Sequence, residues 1–171
     1  FVVKGNSSKK DTTEEEAKKE DAESLEKPTF TETTFADVKK DDWHYESVKY
    51  VYENNLMQGT GNGFEPESKM SRAMLVTVLY RAEGEPEMKN AQWFEDVEKG
   101  QWYSDAVAWA TFNGITMGYG NGNFGPNDNI TREQIVAIMH RYAQYKGYDV
   151  TQGGMLIREY SDYENISDYA L

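Results

Sequence analysis

The sequence contains no cysteine, which excludes disulfide bonds and thiolate metal sites. It also has no apolar run long enough to cross a bilayer, so membrane insertion is not expected. Positive charge is short, with 18 Lys and Arg against 30 Asp and Glu and a net charge of −12. Nucleic acid and anionic membrane surfaces would repel such a chain at long range, and no nucleic-acid partner is expected. Histidine is scarce too, with only His44 and His140. No nucleophile–base constellation recurs around either one, and no glycosidase acid pair stands out, so an enzyme is not expected and the catalytic set is empty. No signal peptide is visible, and the chain opens on Phe1 rather than methionine, so it reads as a piece of a longer protein.

Aromatics, by contrast, are plentiful, with 12 Tyr and 4 Trp. A disordered chain rarely carries so many. Mean hydropathy is nevertheless low at −0.82, which implies that part of the length is not core. The division falls near residue 34. Residues 1–34 hold Phe1-Val2-Val3 and then a polar, mostly charged tract through Lys27. Such a tract cannot offset its ordering entropy and is expected to be a flexible acidic linker or tail, with 13–26 capable of a solvated helix.

From residue 35 onward the chain repeats itself. Phe35, Asp37, Val38, Trp43, Val48, Asn54, Gly59, Gly61, Asn62 and Gly63 recur 59 positions later as Phe94, Asp96, Val97, Trp102, Val107, Asn113, Gly118, Gly120, Asn121 and Gly122. After one inserted residue, Asn123, the match resumes with Phe64, Pro66, Arg72, Val76 and Arg81 against Phe124, Pro126, Arg132, Val136 and Arg141. The copies span 35–84 and 94–147. A third opens at 160–171, where Tyr160-Ser161-Asp162 matches Phe-x-Asp and Tyr169 takes the Trp position; it stops before its first helix.

Each copy predicts a helix–loop–helix. The first helix runs from Trp43 to Asn55 or Trp102 to Asn113, burying Val48, Val51 and Tyr52, or Ala106, Trp109 and Ala110. Glycine-rich turns follow. A second helix begins at Ser71 or Thr131 and buries Met74, Val78 and Leu79, or Ile135, Ile138, Met139 and Tyr142. Thr131-Arg132-Glu133-Gln134 has the capping-box form, whereas Ser71-Arg72-Ala73-Met74 keeps only the hydroxyl. Gly84 and Gly147 mark left-handed helix stops. One such hairpin cannot cover its own apolar face and must pack on its neighbours.

Phe94-Glu95-Asp96-Val97, Trp102, Gly118-Tyr119-Gly120-Asn121-Gly122-Asn123-Phe124-Gly125-Pro126 and Ile130-Thr131-Arg132-Glu133 together resemble the S-layer homology (SLH) repeat. The resemblance implies a mainly α fold, with tandem repeats packing as a pseudo-threefold helical bundle with prongs, completed within one chain or by self-association. It implies a non-catalytic module of a secreted protein at a Gram-positive cell wall or S-layer. The module would bind secondary cell-wall polysaccharide, a peptidoglycan-linked glycan often bearing a pyruvate ketal, in grooves between repeats. The sequence departs from the family pattern at Met70-Ser71-Arg72-Ala73, at Glu133-Gln134, and in a third copy without its Arg motif. The alternative is a structural, oligomerising module without glycan binding.

The candidate carbohydrate-binding residues are Arg72, Arg132, Ser71, Thr131, Trp43, Trp102, Asp37, Asp96 and Asp162. Arg72 and Arg132 sit just inside helix starts, where a guanidinium beside free backbone N–H groups can hold a carboxylate; pairing with a neighbouring acid is the alternative. Trp43 and Trp102 are expected to pack into the core, with stacking on a sugar face as the alternative. Asp37, Asp96 and Asp162 are expected to cap the turn before a first helix, or else to accept sugar hydroxyls. Asn121, Asn123, Asn127 and Asp128 supply oxygens in one loop, but the closing Glu of a calcium loop is missing, so turn chemistry is the expectation and no metal or cofactor is assigned.

Overall fold

The computed structural model describes residues 27–88, 93–151 and 159–170. Of the stretch 1–34 expected to be a linker, residues 1–26 lie outside these; residues 27–34 are part of the fold, because Phe30 is buried beside Phe35 and its amide donates to Glu53, which moves the boundary back from 35. Among them are α1 (Tyr45–Glu53), α2 (Arg72–Ala82), α3 (Ser104–Phe112) and α4 (Arg132–Tyr145), with single 3-10 turns at Tyr163–Asn165 and Asp168–Ala170. The described residues form no strand beyond one isolated bridge, Ser71 with Asn129. The fold is therefore mainly helical, as the periodicity requires.

All four helices end in the same way. A left-handed residue follows the last turn: Asn55, Gly84, Gly114 or Gly147. The next amide then reaches back five residues, as in Leu56 N–H to the Val51 carbonyl at 2.8 Å and Tyr148 N–H to that of Ala143 at 3.0 Å. This satisfies carbonyls that the helix leaves orphaned. The starts differ by type. Ser71 and Thr131 cap α2 and α4 by accepting from Met74 N and Gln134 N. Gln134 returns the bond to Thr131 N. At α2 the returning acceptor is the thioether of Met74, 3.4 Å from Ser71 N, so the box expected to be lost survives in a weak form. The first helices start two residues later than expected, after His44 and Tyr103, which make no side-chain cap.

Packing does not follow the sequence repeat. A small core holds Phe30, Phe35, Val38 and Val48, with Tyr45, Tyr52 and Phe64 against it. The larger core joins α2 of the first copy to Phe94, Val97, Tyr103, Val107, Trp109, Ile115, Phe124 and Ile138 of the second. Thus α2 belongs to one copy by sequence and to the next by burial. This explains why its buried set is Ala73, Leu75, Val76, Leu79 and Tyr80. Met74 and Val78, expected in the core, are half-buried along a groove on the other side. On α4, Ile138 is buried as expected, whereas Met139 is exposed, because no full helix among the described residues covers that side.

Polar bonds fasten the same junction. At the start of α2, Arg72 N–H donates to the Asp128 carbonyl at 3.0 Å and Ala73 N–H to that of Pro126 at 3.1 Å, while Ile130 N–H donates to Met70 at 3.1 Å. At its far end, Glu83 accepts from the Tyr142 hydroxyl and from Lys146 Nζ at 2.9 and 3.0 Å. These donors hold the Glu83 carboxyl below its ordinary value, Tyr142 contributing most and Lys146 next.

Two predictions follow from this frame. A depressed carboxyl stabilises the fold above its unfolded pKa, and that contribution fades as pH falls through the folded value. Glu83→Gln should therefore cost about 1–2 kcal/mol at neutral pH in urea titration, and the difference from the parent should shrink as pH drops below 4.5, the ordinary value. The second concerns position 65, where Glu65 holds φ 55° and its repeat-mate Gly125 holds φ 71°. A left-handed side chain is strained, so Glu65→Gly should raise stability by about 1 kcal/mol. Gly125→Ala should lower it, since a Cβ there would lie 2.5 Å from Tyr119 and Asp128.

Candidate functional site

A concavity lined by residues of both copies lies along the outer side of α2. It has a volume of about 590 Å³. Its walls are the Leu56–Phe64 loop and the α2 residues Met74, Thr77 and Val78, and Trp102 of the second copy stands at its rim. The loop takes this course because Asp37 pins it. The Asp37 carboxylate accepts from Phe64 N at 3.0 Å and Glu65 N at 2.7 Å. Those two bonds hold its pKa below the ordinary value, that from Phe64 most. Asp96 does the same in the second copy, with Phe124 N at 2.8 Å and Gly125 N at 2.7 Å. Neither aspartate caps the turn before a first helix, as was expected. Each spends both oxygens on amides nearly thirty residues downstream, because a carboxylate can accept two converging N–H groups that the loop cannot pair internally.

Thr77 is a buried hydroxyl on the wall of this groove, and its Oγ1 has no hydrogen-bond partner among the described residues. Lys69 stands at the edge. Arg81 is already engaged, by the Leu56 carbonyl at 3.2 Å and by Glu85 at 3.5 Å. The groove thus offers an apolar wall containing Met57, Met70, Met74 and Val78, the unpaired Thr77 hydroxyl, the charges of Lys69 and Glu65 beside the engaged Arg81, and the aromatic rings of Phe64 and Trp102. Such a mixture suits a small amphipathic ring better than a flat apolar group.

The nine candidate residues are not gathered at one place. Trp43 is 89% exposed and Trp102 is more than half exposed, which corrects the expectation that both fill the core. Each lies just ahead of its helix and crosses the neighbouring ring edge-on, Trp43 on His44 and Trp102 on Tyr103. The ring buried at the helix start is Tyr103, next in sequence. Ser71 and Thr131 act as helix caps. Asp162 is exposed in the third opening.

The two arginines have different fates. Arg72 is 4% exposed. Its Nε donates to the Phe124 carbonyl at 2.9 Å, and its guanidinium lies 4.5 Å from the Tyr119 ring centre and 5.0 Å from that of Phe124. Tyr119 in turn donates to Asp128 at 2.9 Å. Burial, and then that bond, push its phenol pKa up. The helix-start amides beside Arg72 are not free, because the second copy's carbonyls and Ser71 take them. Arg72 is therefore a staple between copies. Arg132 is exposed and has no bonded partner among the described residues. Its neighbour Glu133 accepts from Ser167 N, Ser167 Oγ and the Tyr169 hydroxyl, drawing the third opening onto the start of α4.

The Asn-rich loop closes on itself. Asn121 Oδ1 accepts from Asn123 N, and Tyr119 N donates to the Asn123 carbonyl. No group of three or more His, Asp or Glu side chains fit to hold a metal occurs among the described residues. The groove residues Met57, Met70 and Thr77 escaped sequence reasoning. For Met57 the signal was the apolar residue that follows each first-helix stop, Leu56 and its repeat-mate Ile115; nothing in the sequence singled out Met70 or Thr77. Arg72→Ala is expected to lower stability by about 1.5–3 kcal/mol in chemical denaturation, because it orphans a buried carbonyl and empties the space between two rings.

Comparison with known proteins agrees with this architecture. The model of the S-layer homology domain family matches residues 34–73 and 94–136. An endoglucanase of Bacillus sp. (strain KSM-635) is 34% identical over 137 residues, covering 80% of this chain and 14% of the relative. The exoglucanase XynX of Acetivibrio thermocellus is 31% identical over 139 residues, covering 80% and 12%. The S-layer protein sap of Bacillus anthracis is 30% identical over 135 residues, covering 78% and 16%. The chain therefore spans a sixth or less of the length of these relatives. What proteins so different share with it is a surface-attachment module with no catalytic role of its own. The chain belongs to the S-layer homology family, and its place is the cell surface.

Proposed function

We propose that this module holds its parent protein on the wall by gripping a secondary cell-wall polysaccharide in the groove beside α2. The observation that carries the reading is the groove itself, built from the first copy's loop and helix and finished by Trp102 of the second. An exposed indole edge beside a sugar-sized space favours stacking on a pyranose face. The unpaired Thr77 hydroxyl supplies a hydrogen bond that the fold leaves unused. Lys69, without a carboxylate partner among the described residues, suits an acidic substituent such as a pyruvate ketal. Arg132 is the second cation available to the same polymer. Arg72 is assigned to the scaffold, as are Asp37 and Asp96.

The test is co-sedimentation of the protein with purified sacculi before and after acid removal of the polysaccharide. Binding should disappear with the polysaccharide. Trp102→Ala should weaken it roughly three- to ten-fold, the range expected for an aromatic contact of about 0.5–1.5 kcal/mol, with an unchanged circular dichroism spectrum. Lys69→Ala and Arg132→Ala should each weaken it further as salt is lowered, since surface attraction is screened least there. Undiminished pelleting by the Trp102→Ala/Lys69→Ala double variant would remove the groove from the account.

A further inference from the structure

Methionine is concentrated on one wall of the groove beside α2. Met57, Met70 and Met74 all line it, and each is half-buried, so none is sealed in a core. The repeat register places Thr116, Ile130 and Gln134 at these three positions in the second copy, so the repeat itself does not call for sulfur there. Of the other described methionines, Met88 packs against the larger core, while Met117 and Met139 stand exposed outside the groove. Met74 has a second task. Its sulfur, 3.4 Å from Ser71 N, accepts the bond that closes the box at the start of α2. Gln134 does the same at α4 with an amide oxygen, accepting from Thr131 N at 3.2 Å. An oxygen at this position is therefore compatible with the box, and the thioether is the weaker acceptor of the two.

We infer that Met57, Met70 and Met74 form a peroxide-sensitive modification site, whose conversion to sulfoxides loosens the groove's hold on the wall polymer without loosening the fold. The inference rests on the wall-binding reading of this groove. In the step itself, a lone pair of the thioether sulfur attacks one oxygen of hydrogen peroxide. The S–O bond forms as the O–O bond breaks, and the hydroxide released takes the proton from the sulfur-bound oxygen and leaves as water. Sulfur is oxidised by two electrons and the peroxide is reduced. Each sulfoxide puts a strong dipole into an apolar wall, and a sugar ring covering that wall would strip the dipole of water without offering a partner. At Met74 the new oxygen takes over the Ser71 amide, as the Gln134 oxygen already holds that of Thr131. The methionine whose oxidation most endangers α2 is thus the one whose oxidised form keeps the cap. A sulfoxide reductase returns the thioether, so the change is reversible.

Graded hydrogen peroxide on the full chain, followed by peptide mass spectrometry, tests this. Met57, Met70 and Met74 should each gain one oxygen at doses close to those that oxidise the exposed Met117 and Met139. The oxidised protein should keep its circular dichroism spectrum and pellet with sacculi roughly ten-fold less well, as an unpaired polar group in an apolar contact requires. Methionine sulfoxide reductase should restore the pelleting. With each protein compared to its own untreated form, a Met57→Leu/Met70→Leu/Met74→Leu variant should lose the peroxide response and a Met117→Leu/Met139→Leu variant should keep it. Met74→Gln, which sets an amide oxygen where the sulfoxide oxygen would lie, should resist urea at least as well as the parent, and Met74→Leu less well; this readout needs no wall material. Groove methionines that stay unoxidised when Met117 and Met139 are fully converted, or pelleting that survives their oxidation, would overturn the inference and leave wall binding standing. A Met74→Gln variant less stable than Met74→Leu would overturn the cap. A parent that never pellets would remove both readings.

Discussion

The structure depends on one exchange: the second helix of a copy is buried by the copy that follows. α2 carries Val76, Leu79 and Tyr80 into a core whose other residues come from the second copy. Each such side chain contributes about 1.5–3 kcal/mol when removed from water, and no face of the first copy alone could supply that burial. The polar bonds at the two ends of α2 serve the same junction. The carbonyls of Pro126 and Asp128 complete its start, and the Glu83 carboxylate ties its end to Lys146 and Tyr142. Everything else follows, including the groove, which exists because the loop of one copy and the tryptophan of the next are held at a fixed separation.

The pinning aspartates show how a short motif can organise a long loop. Asp37 and Asp96 each stand two residues after a buried phenylalanine, and each gathers two amides from the Phe-x-Pro segment that follows the glycine turn. Four backbone donors that would otherwise lie unpaired between helices are thereby satisfied. The glycine turn reverses the chain, the phenylalanine buries it, and the aspartate fixes its register. A family signature that reads like a ligand-binding pattern is here in large part a folding pattern.

Much of this was legible in the residues. The 59-residue register, the four helices, the left-handed stops at Gly84 and Gly147 and the hydroxyl caps at Ser71 and Thr131 all follow from local rules that tertiary contacts do not override. What periodicity could not reveal was which neighbour buries which face. Met74 and Val78 have the spacing of a core stripe, yet the core lies on the other side of α2, because burial is decided by the partner. The tryptophans misled for a related reason. A Trp before a helix is usually buried, but Tyr103 takes that space and leaves Trp102 at the rim. Arg72 and Arg132 look alike in sequence and differ in structure, because among the described residues only Arg72 has a loop, with Tyr119 and Phe124, closing over it.

The offset between sequence period and packing unit bears on how such modules can be inherited. A duplication or exchange cut at the sequence period severs α2 from α3 and brings together two surfaces that never met before. A cut placed inside the glycine loop, between the first and second helices, would carry an intact packed pair into its new setting. The heritable brick of this architecture is therefore displaced by half a period from the one that alignment draws, and lineages that shuffle along that displaced boundary keep a ready-made interior.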